Sequence, residues 1–340
     1  MREDVVSLGG PIQNIIFSLD GLLYALYTSG KHIYVYNTVT DELISELVLP
    51  KDEITNCFSF SDDNLELISG NDLNPHIYRW KILDNSLIRT IDTRNIATVL
   101  CISPNKQRII CGEDDYYIRG YDSDTGSLID KIYLGQHTYV FSIKFNLDGS
   151  KFACGDSRER ALVWDSNTFK QSDLINLKTD NLDEAYYNEF EVYCVEFHPH
   201  IANIIAIGST DNLLRIWDLN ENRRISLMQG HTDTVYCASF HKDGDIIATG
   251  SVDMSVRVWE VLTGALLQTI SDHPSPVISV CFKGNNQILS ADKYGNIATW
   301  VNPDKSIRKI LHSRLTGKWP TRGGRRTRRK PHRKHRRKTR

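Results

Sequence analysis

Three constellations in this 340-residue sequence have residue types that could do chemistry. Adjacent carboxylates at Asp114 and Asp115 would suit paired acid and base work. His198-Pro199-His200 would offer two imidazoles to a metal, and seven cysteines would offer thiolates. Spacing argues against each. No third and fourth ligand stands at a suitable distance from the two histidines, and there is no C-x-x-C pair. Cys57, Cys194 and Cys237 each lie three residues before a Phe, while Cys111 and Cys154 each precede a Gly, so they read as small, reduced packing residues. No G-x-S-x-G, H-E-x-x-H or phosphate-binding glycine loop occurs. The expectation is a protein without catalytic residues, metal or cofactor.

One stretch, Gly230 to Val261, has patterning that predicts a group of strands. Val235–Phe240, Asp245–Gly250, Ser255–Glu260 and Leu266–Ile270 read as four short strands, and Lys242-Asp243-Gly244 and Thr263-Gly264 as tight connections. The aromatic residue of the third strand recurs at Tyr36, Trp80, Tyr121, Trp164, Trp217, Trp259 and Trp300, with gaps of 44, 41, 43, 53, 42 and 41 residues. Seven beats of this period imply seven repeated units.

Gly230-His231 at the start of the unit and Trp259-Glu260 near its end resemble the WD40 repeat. That resemblance implies an all-β chain, a seven-bladed WD40 β-propeller over residues 1–312 followed by a disordered basic tail over 313–340. It also implies a structural hydrogen-bonded row of His231, Thr249, Asp253 and Trp259, in which the imidazole and the hydroxyl satisfy an indole that only donates and a carboxylate that only accepts. By the same template only the sixth unit keeps the whole row. The third keeps Asp115 with Tyr121 and the fifth Asp211 with Trp217. The first, fourth and seventh have Gly30, Arg158 and Tyr294 where Asp is usual, so they are expected to rely on packing. Two segments could close the ring as the outer strand of the seventh unit, Asp4–Leu8 and Ser306–Leu311, and the resemblance favours the first. The long gap places an acidic and aromatic insertion over Thr179–Phe190.

The resemblance further implies that partners bind where the first strands open onto the channel mouth. Strand alternation places Tyr139 and Phe141, Glu191 and Tyr193, and Tyr236 there. With Tyr186 and Tyr187 of the insertion they make a candidate partner-binding face, since aromatic side chains combine large apolar area with few rotors. The opposing expectation is that the rings stack on one another and plug the channel.

Net charge is −1 but is divided. Residues 313–340 hold 14 Lys or Arg and no acid, leaving 27 basic against 42 acidic residues in 1–312, about −15 for the body and +14 for the tail. Arg325, Arg326, Arg328, Arg329, Lys330, Arg333, Lys334, Arg336, Arg337 and Lys338 would contact phosphates of DNA or RNA or act as an import signal. In composition the tail resembles those of large-DNA-virus proteins. Two functions follow, a non-enzymatic scaffold for protein partners with basic segments, or a nucleic-acid adaptor acting through the tail. No apolar run is long enough to span a membrane, and Met1-Arg2-Glu3-Asp4 does not open a signal peptide. The expected propeller is monomeric and intracellular, cytoplasmic or nuclear, with virion association as a further option.

Overall fold

The computed structural model describes residues 2–7, 14–27, 32–50, 53–177, 190–284 and 287–301. Their strands form seven antiparallel four-stranded sheets. Six are built from consecutive strands, as in the sixth blade, Val235–Phe240 (β22), Ile246–Ser251 (β23), Val256–Glu260 (β24) and Leu266–Ile270 (β25). The seventh is not. Its inner strands Val277–Lys283 (β26), Gln287–Asp292 (β27) and Asn296–Val301 (β28) are completed by Arg2–Ser7 (β1), which pairs antiparallel to β28 with Val6 opposite Ile297. Of the two candidate closing segments, the N-terminal one therefore takes the outer position. Ser306–Leu311 lies outside the described residues.

Burial follows strand position. Every residue of the second strands Ile204–Ser209 (β19) and β23 is buried, because each is covered by a neighbouring blade on either face. A fourth strand such as Leu128–Tyr133 (β13) is almost wholly exposed. The core lies between blades. Ala153, Val163 and Ile175 of the fourth blade pack with Val192, Val195 and Ile205 of the fifth. A recurrent glycine sets the approach. A Cβ on Gly155 would stand 2.4 Å from Val192 Cγ1, on Gly208 2.8 Å from Val235 Cγ1, and on Gly250 2.6 Å from Val277 Cγ1. Cys154 and Cys111 precede such glycines, and all seven cysteines are free thiols.

The polar row of the sixth blade is continuous. Trp259 Nε1 donates to Thr249 Oγ1 at 2.9 Å, the hydroxyl meets His231 Nε2 at 2.7 Å, and His231 Nδ1 lies 2.8 Å from Asp253 Oδ2. The seventh blade corrects the expectation that only one row is complete. Trp300 Nε1 donates to Ser290 Oγ, which meets His273 Nε2, both at 2.6 Å, and His273 Nδ1 reaches Asp292 Oδ2 at 3.1 Å. The acid has moved two residues back, to the end of the second strand. The same displacement supplies Asp156 in the fourth blade, 2.6 Å from Arg160, and Glu113 in the third, paired with Arg119. In the third blade Tyr121 gives its hydroxyl to Glu113 at 2.8 Å rather than to Asp115, which Arg119 holds through two nitrogens. In the fifth, Asp211 pairs with Arg215 at 2.6 Å, and Trp217 Nε1 turns to Asn222 Oδ1 at 3.4 Å. The fourth and seventh blades, expected to depend on packing, thus carry staples of their own wiring.

Candidate functional site

The first strands share a defect that alternation does not foresee. In the sixth blade Val235 faces Ser251 and Cys237 faces Gly250, leaving Tyr236 as an extra, unopposed residue. The same skip isolates Phe141 between Val140 and Ser142, Tyr193 between Val192 and Cys194, and Ile278 between Val277 and Ser279. It also isolates Thr98 in the third blade and Asn56 in the second, the two blades whose first strands are hardest to align by sequence. Such a bulge kinks the strand and re-aims one side chain. In blades four to seven it turns one residue of each first strand towards the axis.

Phe141, Tyr193, Tyr236 and Ile278 accordingly line the axial channel, whose volume is about 860 Å³. The three aromatic rings form an arc over blades four to six. Phe141 and Tyr193 are stacked, centroids 4.5 Å apart at 10°, and Tyr193 meets Tyr236 at 5.2 Å and 33°. The rings therefore do stack on one another, yet they line an open channel, and Tyr236 remains 38% exposed. Burial, together with the nearby Glu191 carboxylate, pushes the Tyr193 hydroxyl up to about 12, so it stays protonated and able to donate. Tyr139 is set apart on the surface, 46% exposed, with its ring edge-on to Tyr116 at 5.3 Å.

Deeper in the channel Lys144 Nζ and Glu196 Oε2 lie 3.7 Å apart across blades four and five. The Glu196 charge raises the Lys144 amine, and burial raises the Glu196 carboxyl. Neither residue stands out in the sequence, because charge at an inner position of a first strand carries no pattern of its own. The pair ties adjacent blades, as does the Val195 N–H donating to Ser142 Oγ at 3.2 Å.

The other sequence candidates are not drawn together. Asp115 is held by Arg119 and by Asn95 Nδ2 at 2.8 Å, whereas Asp114 is exposed. His198 Nδ1 accepts the His200 and Ile201 N–H groups at 3.1 and 3.2 Å, while its Nε2 lies 3.1 Å from the Gly244 carbonyl. Burial lowers His198 to about 4, which suits a ring that joins two turns. His241, Asp243 and Asp245 also converge, with His241 Nδ1 at 3.4 and 3.7 Å from the two carboxylates. That nitrogen already accepts the Asp243 N–H at 3.2 Å, the arrangement seen at His198 in the preceding blade. It is a turn motif. Tyr186, Tyr187 and the ten named Lys and Arg residues of the tail lie outside the described residues.

The model of the WD domain, G-beta repeat family matches residues 185–218 and 222–260. The second segment runs from the outer strand of the fifth blade through the third strand of the sixth, so that sequence repeat straddles two sheets. With seven such sheets joined by their first and last strands, the assignment is decided.

The chain is a WD40 β-propeller.

Several curated relatives share part of it. It is 25% identical over 163 residues to Actin-interacting protein 1-2 of Arabidopsis thaliana, covering 47% of this chain and 25% of that protein. It is 26% identical over 208 residues to Mitochondrial division protein 1 of Eremothecium gossypii, 56% of this chain and 29% of that one. With Transcription initiation factor TFIID subunit 5 of Caenorhabditis elegans it shares 25% identity over 142 residues, 42% and 20% of the two chains. This WD40 chain thus spans between a fifth and a third of these relatives' lengths. Among its described residues no helix is long and apolar enough to cross a membrane.

Proposed function

We propose that this propeller is a scaffold that holds protein partners at the channel mouth on the face where the first strands begin. The observation that carries this reading is the arc of bulged aromatic residues, Phe141, Tyr193 and Tyr236, at the rim of the channel. Bulges sit where a side chain must be aimed, and rigid aromatic anchors dominate interface energetics. The relatives agree in kind, since the names of two of them, an actin-interacting protein and a transcription-factor subunit, describe proteins that join others. Tyr193→Ala is expected to weaken partner binding by about 2 kcal/mol, roughly thirtyfold, with the melting temperature nearly unchanged. Affinity capture of partners by the full chain and the variant, with thermal melts of each, measures both. Equal losses of binding and stability would assign Tyr193 to packing instead.

The tail supports a second activity, because its +14 charge is segregated from a body of about −15. In this reading Arg325 to Lys338 bind nucleic acid while the propeller recruits proteins. Deleting residues 318–340 is expected to abolish salt-sensitive binding to a random duplex, where each phosphate contact contributes a slope of about −0.9 in log K against log salt. Protein capture by the propeller should persist. Unchanged DNA and RNA binding after the deletion would refute the role of the tail.

A further inference from the structure

The aromatic surface does not end at the channel. Tyr139 lies just before the strand Val140–Phe145 (β14), two residues from Phe141, and its other neighbour is Tyr116 at 5.3 Å and 73°. The Tyr116 hydroxyl is 3.4 Å from His137 Nδ1, with ring centroids 5.6 Å apart. Tyr116 and Tyr139 thus form a second aromatic group beside the arc of Phe141, Tyr193 and Tyr236, and the two together make a strip from blade three to blade six.

The backbone beneath the outer end of this strip is strained. Tyr116 occupies a turn between second and third strands at φ 70°, and the equivalent places hold Glu159, Asn212, Met254 and Gly295 at φ 63°, 69°, 64° and 88°. Glycine and asparagine enter this left-handed region at least cost, and a bulky side chain there is an outlier. His137, against the same ring, is also left-handed at φ 60°. Strained residues that present side chains at a surface are a mark of recognition sites. The strip is bordered by acid. Asp114 is exposed two residues from Tyr116, Glu191 adjoins Tyr193, and Asp233 is exposed three residues before Tyr236. Arg158, which also lies beside it, is tied through Nη2 to the Gln136 carbonyl at 2.5 Å.

Resting on the scaffold reading above, we infer that this strip is the docking track of an extended partner segment bearing arginine or lysine, with Tyr116 and His137 as its outer anchor. The cations lie against the tyrosine faces and their apolar stems cover the rings. Asp114, Glu191 and Asp233 supply the complementary charge. The segment enters at the channel mouth and leaves over the junction of blades three and four.

The test uses the full chain and an array of ten-residue peptides that carry either Arg and Lys or Glu at alternate positions. Basic peptides are expected to be retained and their glutamate counterparts lost. With the best peptide labelled for fluorescence anisotropy, Tyr116→Gly should bind at least tenfold more weakly yet melt at a higher temperature, because glycine relieves the left-handed strain. A purely structural Tyr116 would not move binding and stability in opposite directions. Should Tyr116→Gly bind like the parent while Tyr193→Ala loses binding, the outer anchor is refuted and the scaffold reading stands. Equal retention of acidic and basic peptides, or retention of neither, overturns the basic partner, leaving the capture of folded partners as the test of the scaffold.

Discussion

Replacing His231 with leucine is expected to cost this propeller about 3 kcal/mol, because it strands a buried carboxylate whose cationic or donor partner is gone. The His231 and Asp253 side chains are 1% and 6% exposed, and the imidazole also receives the Thr249 hydroxyl that serves Trp259. Leucine fills the volume but breaks the row at its centre. Asp253 would keep the N–H groups of Thr232 and Ser255 and the Ser255 hydroxyl, which is why the loss stays below the top of the range for broken buried pairs. Urea unfolding should show a lower midpoint with an unchanged slope. The pH dependence has a definite sign. Burial alone would raise the Asp253 carboxyl, but hydrogen bonds from His231 and Ser255 bring it well below the usual carboxylate range. A carboxyl depressed in the folded state contributes stability above its unfolded value of about 3.9 and loses it as pH falls towards the folded one. The gap between the parent and Asp253→Asn should therefore be full at neutral pH and shrink in acid below about pH 4. A gap that stays constant down to pH 2 would show that Asp253 carries no charge in the row.

Gly155→Val is expected to be the more damaging change, preventing closure between blades four and five. A Cβ at residue 155 would stand 2.4 Å from Val192 Cγ1 and 2.5 Å from the Val192 carbonyl oxygen, and the second of these is backbone. A side chain can turn aside, whereas a carbonyl moves only with its strand. Overpacking a formed core costs about 1–3 kcal/mol and more where backbone must shift, so the valine variant should lose 3 kcal/mol or more. Gly112→Ala is the graded comparison, since its Cβ would meet only side chains, Val140 and Val99 at 3.0 Å. Thermal melts should rank the parent above Gly112→Ala, and that well above Gly155→Val. An equal, small effect at both sites would mean that the blade spacing yields easily.

Much of this was legible in the sequence because a propeller repeats its demands. Each third strand needs a large buried residue, and Trp164 and Trp259 meet that need in the same register, so the beat from Tyr36 to Trp300 counted the sheets correctly. The staples were harder to read. The template looks for acid in the turn after the second strand, and Glu113, Asp156 and Asp292 supply it from the strand's last residue, where the side chain reaches the same partners along a different path. Closure was ambiguous for another reason. Two segments of similar alternation could each satisfy an open edge, and only the pairing of Val6 with Ile297 distinguishes them. At the candidate site, alternation found Phe141, Tyr193 and Tyr236 but treated Tyr139 as their equal. The bulge separates them, and it leaves no trace in composition. Tyr116 was missed because a left-handed turn usually announces itself through glycine or asparagine.

Sealing the seventh sheet with β1 has a consequence for how the molecule is made. Residues 2–7 leave the ribosome nearly three hundred residues ahead of the partner they need, 296–301. Contacts so remote in sequence form slowly. Through that interval the nascent chain carries growing sheets and one orphaned strand, with unpaired edges available to other chains. Translation speed and chaperone cover over that interval, more than the stability of the finished ring, would then govern how much of the protein reaches its native form.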